Sequence, residues 1–331
     1  MLHGSSAHVE RPERLRAIEA ALSASPLKAQ LSFLDARPAT DAEIERVHPP
    51  GYARGLDDFC LNGGGWIDSD TLLSPQSSRV ARLASGGACR AVEAVVGEGV
   101  PWVFSVCRPP GHHATPNTSM GFCLINNAAV AARHAQAALG LKRVLIVDWD
   151  VHHGNGTQDV FFDDPSVLYF SVHQSPLYPG TGRVRERGAS GTTLNVPLPA
   201  GMGDGEYAFV FDDVLRPAVR EFAPELIIVS AGFDAHERDP LGGMRVSTEG
   251  FARLAEQVRV MSEETPAKGR LVAVLEGGYD LQGLSEAVVA VMDRWHVGVV
   301  ERAPVDGQTV SAATRKVTQA LHELGVPRFS P

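Results

Sequence analysis

Six short apolar runs recur along the chain: "LSFL", "WVFSV", "RVLIVDW", "VLYFSV", "ELIIVSA" and "RLVAVLEGG". Each gives way to a polar or glycine-rich loop and then to a segment of helical period. Runs that are apolar throughout, with no polar alternation, read as strands buried on both faces, which is the signature of a parallel sheet. Helical periodicity covers residues 11–23, 76–96, 126–139, 205–222, 248–261, 281–295 and 312–324. Strands alternating with helices predict an α/β fold whose parallel sheet is covered on both faces and joined by right-handed crossovers. At 331 residues and 44% hydrophobic content the chain can bury one large core, so residues 1–331 are expected to form a single domain. The longest stretch without a helical pattern, residues 178–203, is rich in Gly, Pro and Thr and is expected to be a surface excursion near the strand tips.

In such a sheet the loops leaving the carboxyl ends of the strands gather on one edge, where residues remote in sequence converge. Four strands arrive there carrying ionisable groups. "WVFSV" delivers "CRPPGHHA" with His112 and His113, and "VLIVDWDVHHGNG" delivers Asp148, Asp150, His152 and His153. "ELIIVS" runs into "AGFDAHERDP" with Asp234, and "LVAVL" runs into "EGGYD" with Tyr279. Each has a bland alternative: a polar turn for the histidine pair, a helix cap for Asp234, half-buried packing for Tyr279. The run from Asp148 is sharper. In an extended segment Asp148, Asp150 and His152 share one face, and packing alone gives a buried strand no reason to place three such groups together.

Two carboxylates and one imidazole make a three-ligand set for Zn²⁺ or Fe²⁺ that leaves a coordination position open. Water activated there, beside two histidines able to move a proton, suits amide hydrolysis, and a phenol such as Tyr279 would stabilise the developing oxyanion. The four cysteines (Cys60, Cys89, Cys107, Cys123) are far apart and form no C-x-x-C pair, so they read as buried reduced thiols. Thirty Lys and Arg against 39 Asp and Glu give a formal charge of −9, which disfavours a nucleic-acid binder and suits a basic peptide or a polyamine. No signal peptide or apolar run of membrane-spanning length is apparent, so a cytoplasmic protein is expected, with a homo-oligomer left open.

The motifs "HVERPERL", "DSDT", "RPPGHHA", "MGFCLINNAA", "DWDVHHGNGTQ", "PGTG", "AGFDAHERDPLGG" and "LEGGYDL" together resemble the class II histone deacetylase-like group of the arginase–deacetylase fold. The resemblance implies a three-layer α/β/α architecture with a mostly parallel central sheet of about eight strands. It implies that Asp150, His152 and Asp234 hold one catalytic zinc, that His112 is an electrostatic partner, and that His113 is the general base and acid. Tyr279 would polarise the carbonyl, while Asp148 would orient His112 and Asn155 would orient His113. A structural K⁺ would lie against Asp148, Asp150, His152, Ser171 and Val172. Gly121, Phe122, Tyr178 and Gly278 would line the acyl-lysine channel, Asp70 would stand at its rim, and Arg14 would line an internal cavity beneath the zinc.

Four departures bear on the expectation. Tyr279 stands where a weakly active branch has histidine, which favours true deacetylation. Leu241 stands where polyamine-selective relatives carry a glutamate, which lowers the polyamine alternative. His236 replaces the second bridging aspartate of a dinuclear site, so one metal is expected. Relatives also have a strand before "HGSSAHVERPERL", so either Met1 is a late start or the sheet lacks that strand. The leading expectation is a zinc-dependent deacetylase acting on acylated lysine in a peptide or protein. The alternatives are an acetylpolyamine amidohydrolase acting on small acylated amines and a catalytically silent acyl-lysine binding module.

Overall fold

The computed structural model describes residues 8–298 and 304–328. Strands β1 (Gly65–Trp66) and β2 (Leu72–Leu73) form a small antiparallel ribbon. The remaining strands are β3 (Trp102–Ser105), β4 (Val144–Asp148), β5 (Val167–Gln174), β6 (Thr193–Leu198), β7 (Leu226–Ala231) and β8 (Leu271–Leu275). They make one wholly parallel sheet in the order β3-β8-β7-β4-β5-β6.

The pleat sends alternate residues of each strand into two separate cores, which is why the runs had to be apolar throughout. Leu145, Val147, Ile227 and Val229 join one core with the helices Glu13–Ala24, Thr248–Glu263 and Leu281–Val297. Val144, Ile146, Leu226 and Ile228 join the other with Tyr52–Leu61, Ser77–Gly97 and Asn127–Leu139. The three-layer α/β/α expectation is met. Among the described residues the central sheet has six strands where about eight were expected.

Two local expectations fail. "LSFL" pairs with no strand among the described residues, and its Phe33 is 72% exposed. Residues 178–203 contain the edge strand β6, which Pro197 and Asn195 disguise. An edge tolerates a proline because one side of its ladder needs no donor. The helical pattern over 205–222 is a continuous run with a π turn at Phe211–Leu215, just before Pro217, whose ring nitrogen has no hydrogen to donate to the preceding turn. The question of a strand before "HGSSAHVERPERL" falls on residues 1–7, outside the described residues. No helix among the described residues is long and apolar enough to cross a membrane. The four cysteines are free, with Cys60, Cys89 and Cys123 buried and Cys107 partly so.

Candidate active site

β4 stops at Asp148, so Asp150 and His152 lie just beyond the strand, but the alternation carries on past it. Trp149 and Val151 enter the core while Asp148, Asp150 and His152 face the sheet edge. Trp149 donates its N–H to Ser230 O (3.3 Å) and Val151 O accepts from Gln174 N (2.8 Å), which holds the extended course without a formal strand. From the neighbouring strand end comes Asp234, whose Oδ1 accepts the N–H of Val151 at 2.8 Å. His152 Nδ1 lies 3.1 Å from both Asp150 Oδ1 and Asp234 Oδ2. The three residues bring one ligand atom each within 4.8 Å of one another.

This cradle fits a divalent cation. Burial raises the Asp234 carboxyl to about 7, and the nearby charge of Asp150 adds to the shift. Burial opposes charge on His152 too, yet hydrogen bonds to Asp150 and Asp234 raise it to about 10. Two buried carboxylates this close favour positive charge between them, which a bound divalent cation would supply. Glycines make the approach possible. A Cβ on Gly277 would lie 2.0 Å from Asp234 Oδ2, and one on Gly232 would lie 2.1 Å from Asp150 Oδ2.

Above the cradle sit the paired histidines, ring centroids 4.0 Å apart. His112 Nδ1–H donates to Asp148 Oδ2 at 3.0 Å, and the same oxygen accepts the Tyr169 hydroxyl at 2.9 Å. His113 Nδ1–H donates to Asn155 Oδ1 at 2.8 Å. Each ring thus presents Nε2 outward from an anchored Nδ1. Their charges diverge. Burial disfavours the cation at His112, but Asp148 and Asp150 outweigh it and raise the group well above the usual histidine range. Burial lowers His113 well below that range, and His112 and His152 lower it further, while neutral Asn155 opposes only weakly. The surroundings thus favour the cation on one ring and oppose it on its neighbour.

Aromatic side chains wall the approach. Phe122 meets Tyr279 edge-on at 5.8 Å, and Tyr178, 37% exposed, meets His113 edge-on at 5.0 Å. Gly121 (φ 56°) and Phe122 (φ 68°) are both left-handed. A Cβ on Gly121 would lie 2.6 Å from His113 Cδ2, and Phe122 is kept in a conformation disfavoured for a bulky residue. Phe122 N–H donates to Thr71 Oγ1 (3.0 Å), which donates in turn to Asp70 Oδ1 (2.8 Å), so the Asp70 turn is tied to the wall. Leu241 is partly buried on the loop after Asp239. Arg14, fully buried, donates to Gly278 O (2.7 Å) and Glu276 O (2.5 Å), and its guanidinium lies over the Tyr279 ring at 5.0 Å. Ser171 pairs with Asp148 across β4 and β5, with Val172 the next residue along, so the residues expected at the potassium position are also neighbours.

Several residues of the site had no distinct signal in the sequence. Glu276, fully buried, accepts the N–H groups of Gly111 (2.6 Å) and His112 (3.1 Å) on Oε2 and the Ser230 hydroxyl (3.2 Å) on Oε1. Burial raises its carboxyl to about 7. Glu10 pairs with both Arg14 and Arg108, closing the floor under the histidine loop. Tyr169 was hidden in an apolar run. A second group, Glu43, Cys89 and His134, has ligand atoms equally close. Arg37 forks Glu43 (2.6 and 2.9 Å) and Arg46 lies 3.1 Å from His134 Nδ1, so its carboxylate charge is already balanced and the cluster cross-links three helices.

Comparison with known proteins agrees with this geometry. The histone deacetylase domain model matches residues 8–295. A "Probable deacetylase" of Methanothermobacter thermautotrophicus is 43% identical over 88% of this chain and 86% of its own length. The mouse "Polyamine deacetylase HDAC10" is 41% identical over 85% of this chain and 44% of its own. The crystal structure of the HDA15 HD domain superposes with a TM-score of 0.89 at 38% identity, covering 98% of this chain and 90% of that one. The chain therefore belongs to the histone deacetylase family, as a deacetylase-type hydrolase.

Proposed function

We propose that the protein is a zinc-dependent deacetylase that removes acetyl or another short acyl group from lysine side chains of peptides or proteins. The observation that carries this is the cradle of Asp150, His152 and Asp234 beneath two anchored histidines of opposite charge preference. Zn²⁺ bound there supplies Lewis acidity to the acyl carbonyl and makes water a stronger acid at neutral pH.

The chain's own groups do the rest. Neutral His113 accepts the proton of the attacking water at Nε2 and later delivers it to the departing amine nitrogen, while Asn155 fixes the ring through Nδ1. His112, kept cationic by Asp148, stabilises negative charge as the carbonyl opens. Tyr279 directs its hydroxyl at the same oxygen. Phe122 and Tyr178 flank the extended acyl-lysine side chain and exclude water, and Asp70 stands at the rim to accept from substrate amides. Asp148, Asp150, His152, Ser171 and Val172 are the proposed potassium ligands, a second cation that would brace the first.

A polyamine substrate is the second reading, favoured by the likeness to a relative named as a polyamine deacetylase. Leu241, an apolar side chain, offers no partner for a distal ammonium. Rates on acetyl-lysine peptides against N-acetylputrescine and N-acetylspermidine decide between them. Faster peptide hydrolysis is expected, and a large polyamine preference would reverse the order.

A further inference from the structure

Asp239 is a buried carboxylate to which the proposed reaction gives no task. Its Oδ2 accepts the backbone N–H of Tyr279 at 2.6 Å and of Asp280 at 3.3 Å, and its Oδ1 accepts that of Leu241 at 2.9 Å. One oxygen thus holds a loop forty residues away while the other closes the turn of Asp239's own loop at Leu241. The remote loop carries the hydroxyl assigned to the acyl oxygen, and the local turn carries Leu241, which is partly buried. The Tyr279 loop needs such an anchor. Gly277 and Gly278 precede the tyrosine, and Gly278 holds φ at 116°, a value open only to glycine, so the local sequence leaves the backbone many alternatives. Before the tyrosine, Gly277 O accepts Phe233 N–H (3.0 Å) and Gly278 O accepts Arg14 (2.7 Å), and beyond it Asp280 caps the helix Leu281–Val297 by accepting Gly283 N–H at 2.6 Å, which leaves the amide of Tyr279 itself to Asp239. A carboxylate accepts on both edges, whereas an amide accepts on one and would face a donor with a donor on the other.

We propose that Asp239 is a positioning residue: it holds the backbone that carries the Tyr279 hydroxyl in register with the arriving acyl carbonyl and ties that register to its own loop at Leu241. The proposal rests on the reading of Tyr279 as the carbonyl-polarising group. It predicts a signature that a merely structural role does not give.

The test is a double-mutant cycle of Asp239→Asn with Tyr279→Phe on an acetyl-lysine peptide, with bound metal measured in each variant. In the wild-type background Asp239→Asn should lower kcat by about 10²-fold, the usual cost of displacing a reacting group by an ångström, with KM and metal content little changed. In the Tyr279→Phe background the same substitution should cost almost nothing further, because the group it positions is gone. Equal losses in both backgrounds, or no loss in the first, would overturn the positioning role while leaving the proposed function intact. Tyr279→Phe at the wild-type rate would instead strike the function's use of that hydroxyl and take this proposal with it. Hydrogen exchange of the Asp239→Asn protein adds a readout free of turnover: backbone amides of Leu241, Tyr279 and Asp280 should lose protection together, and unchanged protection would contradict the anchor. If Asp239→Asn does not fold, Asp239→Ser, which retains an acceptor oxygen, is taken through the same cycle.

Discussion

A carboxylate buried beside another carboxylate is an unstable arrangement unless something positive lies between them, and Asp150 and Asp234 are in that position. His152 Nδ1 lies 3.1 Å from both carboxylates, and on the proposed function Zn²⁺ would supply the positive charge between them. Gly277 makes the proximity sterically possible, so Gly277→Ala should be costly out of proportion to one methyl. Its Cβ would press on Asp234 Oδ2 and on Asp150 Oδ2, 2.6 Å away. A loss of metal affinity of roughly 10–100-fold is expected, as for other residues that orient ligands, and isothermal titration with Zn²⁺ measures it. Wild-type affinity in the alanine variant would show that the carboxylates relax freely. Tyr279→Phe removes a donor but no bulk. Metal binding and KM should survive while kcat falls by roughly two to three orders of magnitude, and a steady-state assay beside elemental analysis checks both. How much of this was legible varies with the group. His112, Asp150, Asp234 and Tyr279 follow closely on the ends of apolar strand runs, where ionisable residues are conspicuous. Glu276 and Asp239 look like ordinary loop acids in the sequence, because what they do lies in the backbone amides they face.

Among the elements, strands β4, β5, β7 and β8 were legible because burial on both faces forces an unbroken apolar run. β6 was not, although all of it but Pro197 is buried, because Thr193 and Asn195 interrupt its apolar run and its proline mimics a loop. The helix Tyr52–Leu61 also went unread, though it steadies the loop that walls the channel. Tyr52 donates its hydroxyl to Leu124 O (2.8 Å) and stacks on His48 with ring centroids 4.3 Å apart. His48 in turn donates Nδ1–H to Pro116 O (3.1 Å) and accepts Asn126 N–H on Nε2 (3.1 Å), a pattern only the neutral ring satisfies. Burial lowers this histidine from 6.5 to about 4. Between those values the unfolded chain binds a proton that the folded chain refuses, so stability is full above about pH 6.5 and declines as the pH falls toward 4. The contribution is roughly 3 kcal/mol, at about 1.4 kcal/mol per pK unit. In denaturant titrations at pH 7 and pH 5, His48→Gln should flatten the loss that the wild type shows. Identical losses in the two proteins would mean that His48 titrates normally.

For the whole molecule, the parallel sheet explains why function gathers at one edge. Loops after β3, β4, β7 and β8 each deliver part of the site, and the order β3-β8-β7-β4 places those four strands side by side. The fold class followed from alternation of strands and helices, whereas the strand count did not, because pairing depends on partners that no local pattern specifies. The account's central claim is that one divalent ion held by Asp150, His152 and Asp234 is required for hydrolysis. The most direct measurement is metal content alongside turnover of an acetyl-lysine peptide, for the native protein, after chelation, after Zn²⁺ is restored, and for Asp234→Ala. The account predicts one equivalent of ion in the active protein, loss of both ion and turnover on chelation, recovery of both with Zn²⁺, and neither in Asp234→Ala. Full turnover from metal-free protein would contradict it.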